Sequence, residues 1–189
     1  MVLKKLKFTI IALAFSLMGG GESFSQQPEQ NYFPHPPELS VPDGEPGQIR
    51  RAIMQFNNWT LICDEDLPAK KQVCNVTQSI VDRAGNVVFS WSLAASDNGQ
   101  PFFLLRALPT ADKTKPIQMF FQNRKEPVNI DYVDCNESLC LAQTRVGPVL
   151  SAAIDTGAMA FISYPLQDGS NFQFYAPLKG LKEAVQSIK

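Results

Sequence analysis

Histidine is almost missing from this chain: one residue, His35, among 189. A serine or cysteine triad needs an imidazole base held by a third group. The only imidazole lies in a proline-rich stretch, so that chemistry is not expected. No glycine-rich phosphate loop and no dinucleotide fingerprint is present, which removes the common nucleotide-binding modes. No CxxC occurs among the four cysteines, so a thioredoxin-like redox motif is absent. Neither sign of charge is in excess, with 17 basic and 18 acidic residues. Nucleic acid, which wants a basic face, is therefore not an expected partner. Long apolar runs are lacking too. The run from Phe8 to Met18 is 11 residues, well short of the roughly 20 that cross a bilayer.

That short run has its own meaning. Lys4, Lys5 and Lys7 precede it, and the small and polar residues Gly19 to Ser25 follow it. Basic, apolar, then small is the order of a secretory signal peptide. The reading is a signal over residues 1–25, cut near Ser25, with an uncleaved anchor as the alternative. No cysteine lies near the cut, which argues against a lipid anchor. Removing these residues takes away three lysines and Glu22, leaving 14 basic and 17 acidic residues, a net charge of −3. The mature chain is then expected to be exported and to have no transmembrane segment, with a length suited to one domain.

Residues 26–49 hold six prolines, at 28, 34, 36, 37, 42 and 46. Each removes a backbone donor and restricts its predecessor, which predicts a flexible arm that joins no ladder. Residues 50–189 are the expected folded domain. "VVFSWSLAA" alternates Phe89, Trp91 and Leu93 against smaller residues, and Asp97-Asn98-Gly99 marks a turn. "PFFLLRAL", "PIQMFFQN", "AMAFISYPL" and "NFQFYAP" read as further strands. Pro148, Val149, Ala152, Ala153 and Gly157 outline one short helix. Leu178, Leu181, Val185 and Ile188 outline a short C-terminal helix. About eight or nine short strands separated by turn residues predict an all-β sandwich.

An even cysteine count in an oxidising compartment reads as two disulfides rather than a zinc site. The predicted pairs are Cys63–Cys74 and Cys135–Cys140, because each flanks a turn-rich gap, "DEDLPAKKQV" and "NESL". The rival is a cross-sheet Cys74–Cys135 bridge with Trp91 packed on it, as in antibody domains. Those domains carry a Tyr two residues before the second cysteine, and positions 133 and 138 here are Val and Ser. Asp64, Glu65, Asp66, Asp131, Asp134, Glu137 and Asp155 could in principle form a carboxylate pair. Most fall in turns, where solvated carboxylates are the expectation. No catalytic, cofactor-binding or metal-binding residue emerges.

The order of motifs resembles the invasion-associated locus B proteins, exported proteins of alphaproteobacteria. "FNNWTLICDE" is similar to their F-x-x-W-x-x-x-C opening. "QVCNVTQSI" resembles their second cysteine and following strand, and "VDCNESLCLAQ" their later close cysteine pair. "PVLSAAIDTGAMAFISY" resembles their helix, glycine and strand, and "LKGLKEAVQSI" their C-terminal segment. Leu139 and Leu181 depart from the glycine and phenylalanine usual there. The resemblance covers roughly residues 53–188. It implies an immunoglobulin-like β-sandwich, located in the periplasm, at the outer membrane or outside the cell, and linked to bacterial invasion of host cells. It implies no enzymatic activity and no cofactor, and it carries over only the four cysteines, as structural positions. The expectation is a non-enzymatic protein that binds another protein, of the host cell or the outer membrane. The alternative is a periplasmic envelope-maintenance or stress protein with no host role.

Overall fold

The computed structural model describes residues 31–42, 44–95, 99–122 and 124–188. The expected signal segment lies outside them. The strands, in chain order, are β1 (Phe33–His35), β2 (Ile49–Phe56), β3 (Trp59–Asp66), β4 (Lys71–Val81), β5 (Val87–Ala95) and β6 (Pro101–Ala107). There follow β7 (Ile117–Phe121), β8 (Val128–Ile130), β9 (Tyr132–Cys135), β10 (Cys140–Arg145), α1 (Pro148–Thr156), β11 (Met159–Pro165), β12 (Asn171–Pro177) and α2 (Leu181–Gln186). One sheet runs β2-β3-β4-β5-β6-β10-β9, with β1 pairing on β4 beyond the end of β3. The second runs β12-β11-β7-β8. All the pairings are antiparallel. The fold is an all-β sandwich.

The described strands exceed the expected eight or nine for local reasons. "MQFNNWTLIC" forms a hairpin: Asn57 adopts φ 52° and turns β2 into β3. Asn is among the few non-glycine residues that reach that region readily. "PVNIDYVDC" divides at Asp131 into β8 and β9, which join different sheets. The proline-rich arm supplies β1, a correction to the expectation that residues 26–49 join no ladder. Phe33, Pro34 and His35 pair with Val81, Ile80 and Ser79. β1 pairs on one side only, so Pro34 sits where its missing N–H is tolerated. Tyr32 packs on Phe172 and Phe174 at ring distances of 4.7 and 6.4 Å, and Arg51 donates to the Ser40 carbonyl.

The core lies between the sheets. Trp59 and Trp91 stand 5.1 Å apart and Trp91 stacks on Phe103 at 5.2 Å, all fully buried. Phe89 of the large sheet meets Phe174 of the small one at 4.8 Å. A polar clamp closes one end of this aromatic block. Gln78 is fully buried; its Nε2 donates to the Asn58 and Pro177 carbonyls, and its Oε1 accepts from Trp91 Nε1 at 3.0 Å. Trp59 Nε1 donates to the same Pro177 carbonyl at 3.1 Å. Every side-chain donor here that must leave water finds an acceptor, as burial requires.

Gly180 lies in the next turn at φ 98°, and a Cβ there would stand 2.2 Å from the Phe56 carbonyl oxygen. Glycine is therefore required where the C-terminus meets the β2–β3 hairpin. The C-terminal helix buries Leu181 and Ala184, while Val185 and Ile188 stay exposed. The expected face was phased from Leu178, but Leu178 precedes the helix in extended backbone that donates to Ala158. Likewise α1 buries Leu150 and Ala153, and Ala152 faces out. Gly157 closes α1 in the left-handed conformation, as expected from its position.

Candidate functional site

The cysteines lie in two hairpins. Cys63 on β3 and Cys74 on β4 are directly opposed in register and bonded, with Cα atoms 4.1 Å apart. Cys135 on β9 and Cys140 on β10 are likewise opposed and bonded, with Cα atoms 4.0 Å apart. The second ring is a closed turn: Asn136 Oδ1 accepts from the amides of Ser138 and Leu139, and the Asn136 amide donates to the Leu139 carbonyl. Trp91 packs on aromatic rings, away from the role of an inter-sheet disulfide partner.

The carboxylates singled out in the sequence are dispersed. Asp64 receives two hydrogen bonds from Arg51, both 2.6 Å, which hold its carboxyl below the ordinary range. Glu65 pairs with Arg50, and Asp155 with Lys182 at 3.0 Å. Asp66 and Asp134 accept from backbone amides at turns and strand ends. Asp131 and Glu137 are exposed. Among the described residues no group of three His, Cys, Asp or Glu is placed to hold a metal. The groups pushed upward are Tyr132 and Tyr164, chiefly by burial.

The two sheets present contrasting outer faces. On the small sheet, Phe120, Phe161 and Tyr175 stand opposite one another across β7, β11 and β12. Their rings lie 6.0 and 5.1 Å apart. Beside them run Asn129, Gln118, Ser163 and Gln173, also in register. Met159 and Tyr175 are 51% and 43% exposed. None of the four strands contains a charged residue.

The outer face of the large sheet carries a block of hydroxyls beside Arg106, with Arg51, Arg145 and the apolar Ile62, Phe102 and Leu104 elsewhere on it. Thr60, Thr77 and Ser92 form a register row across β3, β4 and β5. The next row is His35, Ser79, Ser90 and Arg106, across β1, β4, β5 and β6. Thr77 and Ser92 share a hydrogen bond of 2.9 Å, and Arg106 Nη1 donates to Ser92 Oγ at 3.1 Å. Arg106 is half-buried, no carboxylate among the described residues pairs with it, and burial lowers its guanidinium from the ordinary value. A groove of about 260 Å³ opens at this corner, lined by Val88, Ser90, Arg106, Leu108, Ser138 and Leu139. The Cys135–Cys140 turn thus forms one of its walls.

Sequence reasoning missed both faces. The alternation of "VVFSWSLAA" already set Ser90 and Ser92 opposite Phe89, Trp91 and Leu93, but which strands lie beside them is fixed only by register.

Comparison with known proteins follows the same outline. Among curated proteins none matches the sequence. The crystal structure of invasion associated protein B from Bartonella henselae is similar in fold, with a TM-score of 0.61 and 16% identity. The match covers 71% of this chain and 92% of that one. A profile of the invasion associated locus B (IalB) proteins matches residues 59–189, from the core tryptophan of β3 through both disulfides to the C-terminus. With that span matched, the chain belongs to the IalB family.

Proposed function

We propose that this is an exported, non-enzymatic protein that contributes to bacterial invasion of host cells by binding another protein, carried by the host cell or the outer membrane. The observation that carries the binding role is the uncharged aromatic row Phe120–Phe161–Tyr175 with exposed Met159 beside it. Aromatic and methionine enrichment with depletion of charge is the composition of a protein-interface core. The invasion role is drawn from the family and from the Bartonella protein's name. The disulfides serve this reading as staples that hold two hairpins of the large sheet.

The test is a gene deletion complemented with the wild-type chain or with Phe161→Ser/Tyr175→Ser. Deletion is expected to lower host-cell invasion more than growth in broth, and the double variant to restore growth but not invasion. A deletion strain that invades normally yet leaks periplasmic contents would instead establish envelope maintenance.

A further inference from the structure

The arm strand β1 does more than extend the sheet. It carries the chain's one histidine onto the outer face, in register with Ser79, Ser90 and Arg106. Neighbouring strands lie about 4.8 Å apart, so the row spans about 14 Å between backbones. Arg106 shortens that gap, because its bond to Ser92 draws the guanidinium back over β5. A guanidinium has five N–H donors, and one is occupied by Ser92. The hydroxyls of Ser79 and Ser90 have no hydrogen-bond partner among the described residues, although Ser79 is only 4% exposed. His35 Nδ1 lies 2.7 Å from the Pro36 carbonyl. A carbonyl only accepts, so Nδ1 carries the proton, and in the neutral ring Nε2 is an acceptor that can meet only the P–OH of a protonated phosphoryl group. A half-buried cation is ordinarily neutralised; among the described residues no carboxylate forms an ion pair with Arg106, and the one that shares its row, Asp134, stands beyond Leu141.

We propose that the row His35–Ser79–Ser90–Arg106 on the outer face of the large sheet binds a phosphoryl group. The row offers hydroxyl and guanidinium donors in excess of what a flat carboxylate with two oxygens uses. A phosphoryl group presents three strong acceptor oxygens and pairs with a guanidinium through two parallel bonds. This site lies on a different sheet from the aromatic row and does not rest on the proposed invasion role. Either can fail while the other stands.

The experiment is a titration of the folded, isotope-labelled protein with inorganic phosphate, followed by amide chemical shifts. The expected shifts concentrate at His35, Ser79, Ser90, Ser92 and Arg106, and acetate at the same ionic strength reproduces them only weakly. Arg106→Gln is expected to weaken binding at least about tenfold, and Arg106→Lys by less. Ser79→Ala/Ser90→Ala is a second variant that keeps the cation, expected to weaken binding about threefold or more. Vesicles of phosphatidylglycerol and of phosphatidylcholine identify the source. Arg106-dependent capture by the former alone assigns a lipid headgroup, and phosphate binding without capture assigns a soluble phosphate ester. Absence of shifts at tens of millimolar phosphate, equal response to acetate, or an undiminished response in both variants would overturn the proposal.

Discussion

The two faces of the eight-stranded sheet are written by alternate residues of the same strands, yet they follow different rules. On β5, Phe89, Trp91 and Leu93 point into the sandwich, while Val88, Ser90 and Ser92 point out. Inward positions are filled by the largest side chains, and the Gln78 clamp satisfies most of their polar atoms, the buried Tyr132 hydroxyl being an exception. Around Arg106 the outward positions carry small hydroxyls, those of Ser79 and Ser90 without a hydrogen-bond partner among the described residues, and no described carboxylate forms an ion pair with the cation. The outward set also holds Ile62, Leu104 and Leu141, and its hydroxyls surround one half-buried charge.

The comparison breaks hardest at Trp91. Replacing it with alanine removes the ring that stacks on Phe103 and meets Trp59, and strands the Gln78 Oε1 acceptor. The expected loss is about 3–5 kcal/mol of stability, read from denaturant unfolding with an unchanged slope. An unchanged midpoint would mean that the aromatic block is not the core.

The arm sharpens the comparison at the sheet's edge, because β1 contributes to both faces. Tyr32 turns inward onto Phe172 and Phe174, and His35 shares the outer row. Truncating residues 1–41 is expected to cost about 1–2 kcal/mol, since aromatic pairs contribute roughly 0.5–1.5 kcal/mol each beyond their buried area. Thermal melting measures it. A loss near zero would leave β1 as a strand that docks without stabilising.

Much of the fold was legible in the sequence because it rests on local signals. Alternation in "VVFSWSLAA" placed Trp91 in the core, Pro148 and Gly157 bracketed α1, and strand count and turns gave the β-sandwich. What stayed illegible depends on pairing. Proline content made residues 33–35 read as an arm, although extended backbone without a donor suits an edge strand. His35 was set aside for the same reason, and only β1's register with β4 shows that it shares a row with Ser79. Arg106 gave no signal of its own, since an arginine within a strand pattern reads as an outward charge until its neighbours are known. The aromatic row was equally hidden, because Phe120, Phe161 and Tyr175 come from strands distant in sequence.

The division of labour between the two faces is the central claim, and the triple variant Ser79→Ala/Ser90→Ala/Arg106→Gln tests it most directly. Its melting midpoint, compared with the parent chain, is the measurement. Ser79 is buried but its hydroxyl has no partner among the described residues, and Ser90 and Arg106 are partly exposed, so the expected loss is about 0.5 kcal/mol or less, a shift within about 2 °C. A fall of more than about 6 °C, roughly 1.5 kcal/mol or more in a domain of this size, would contradict the account and assign Arg106 and its hydroxyl row to holding the sheet together.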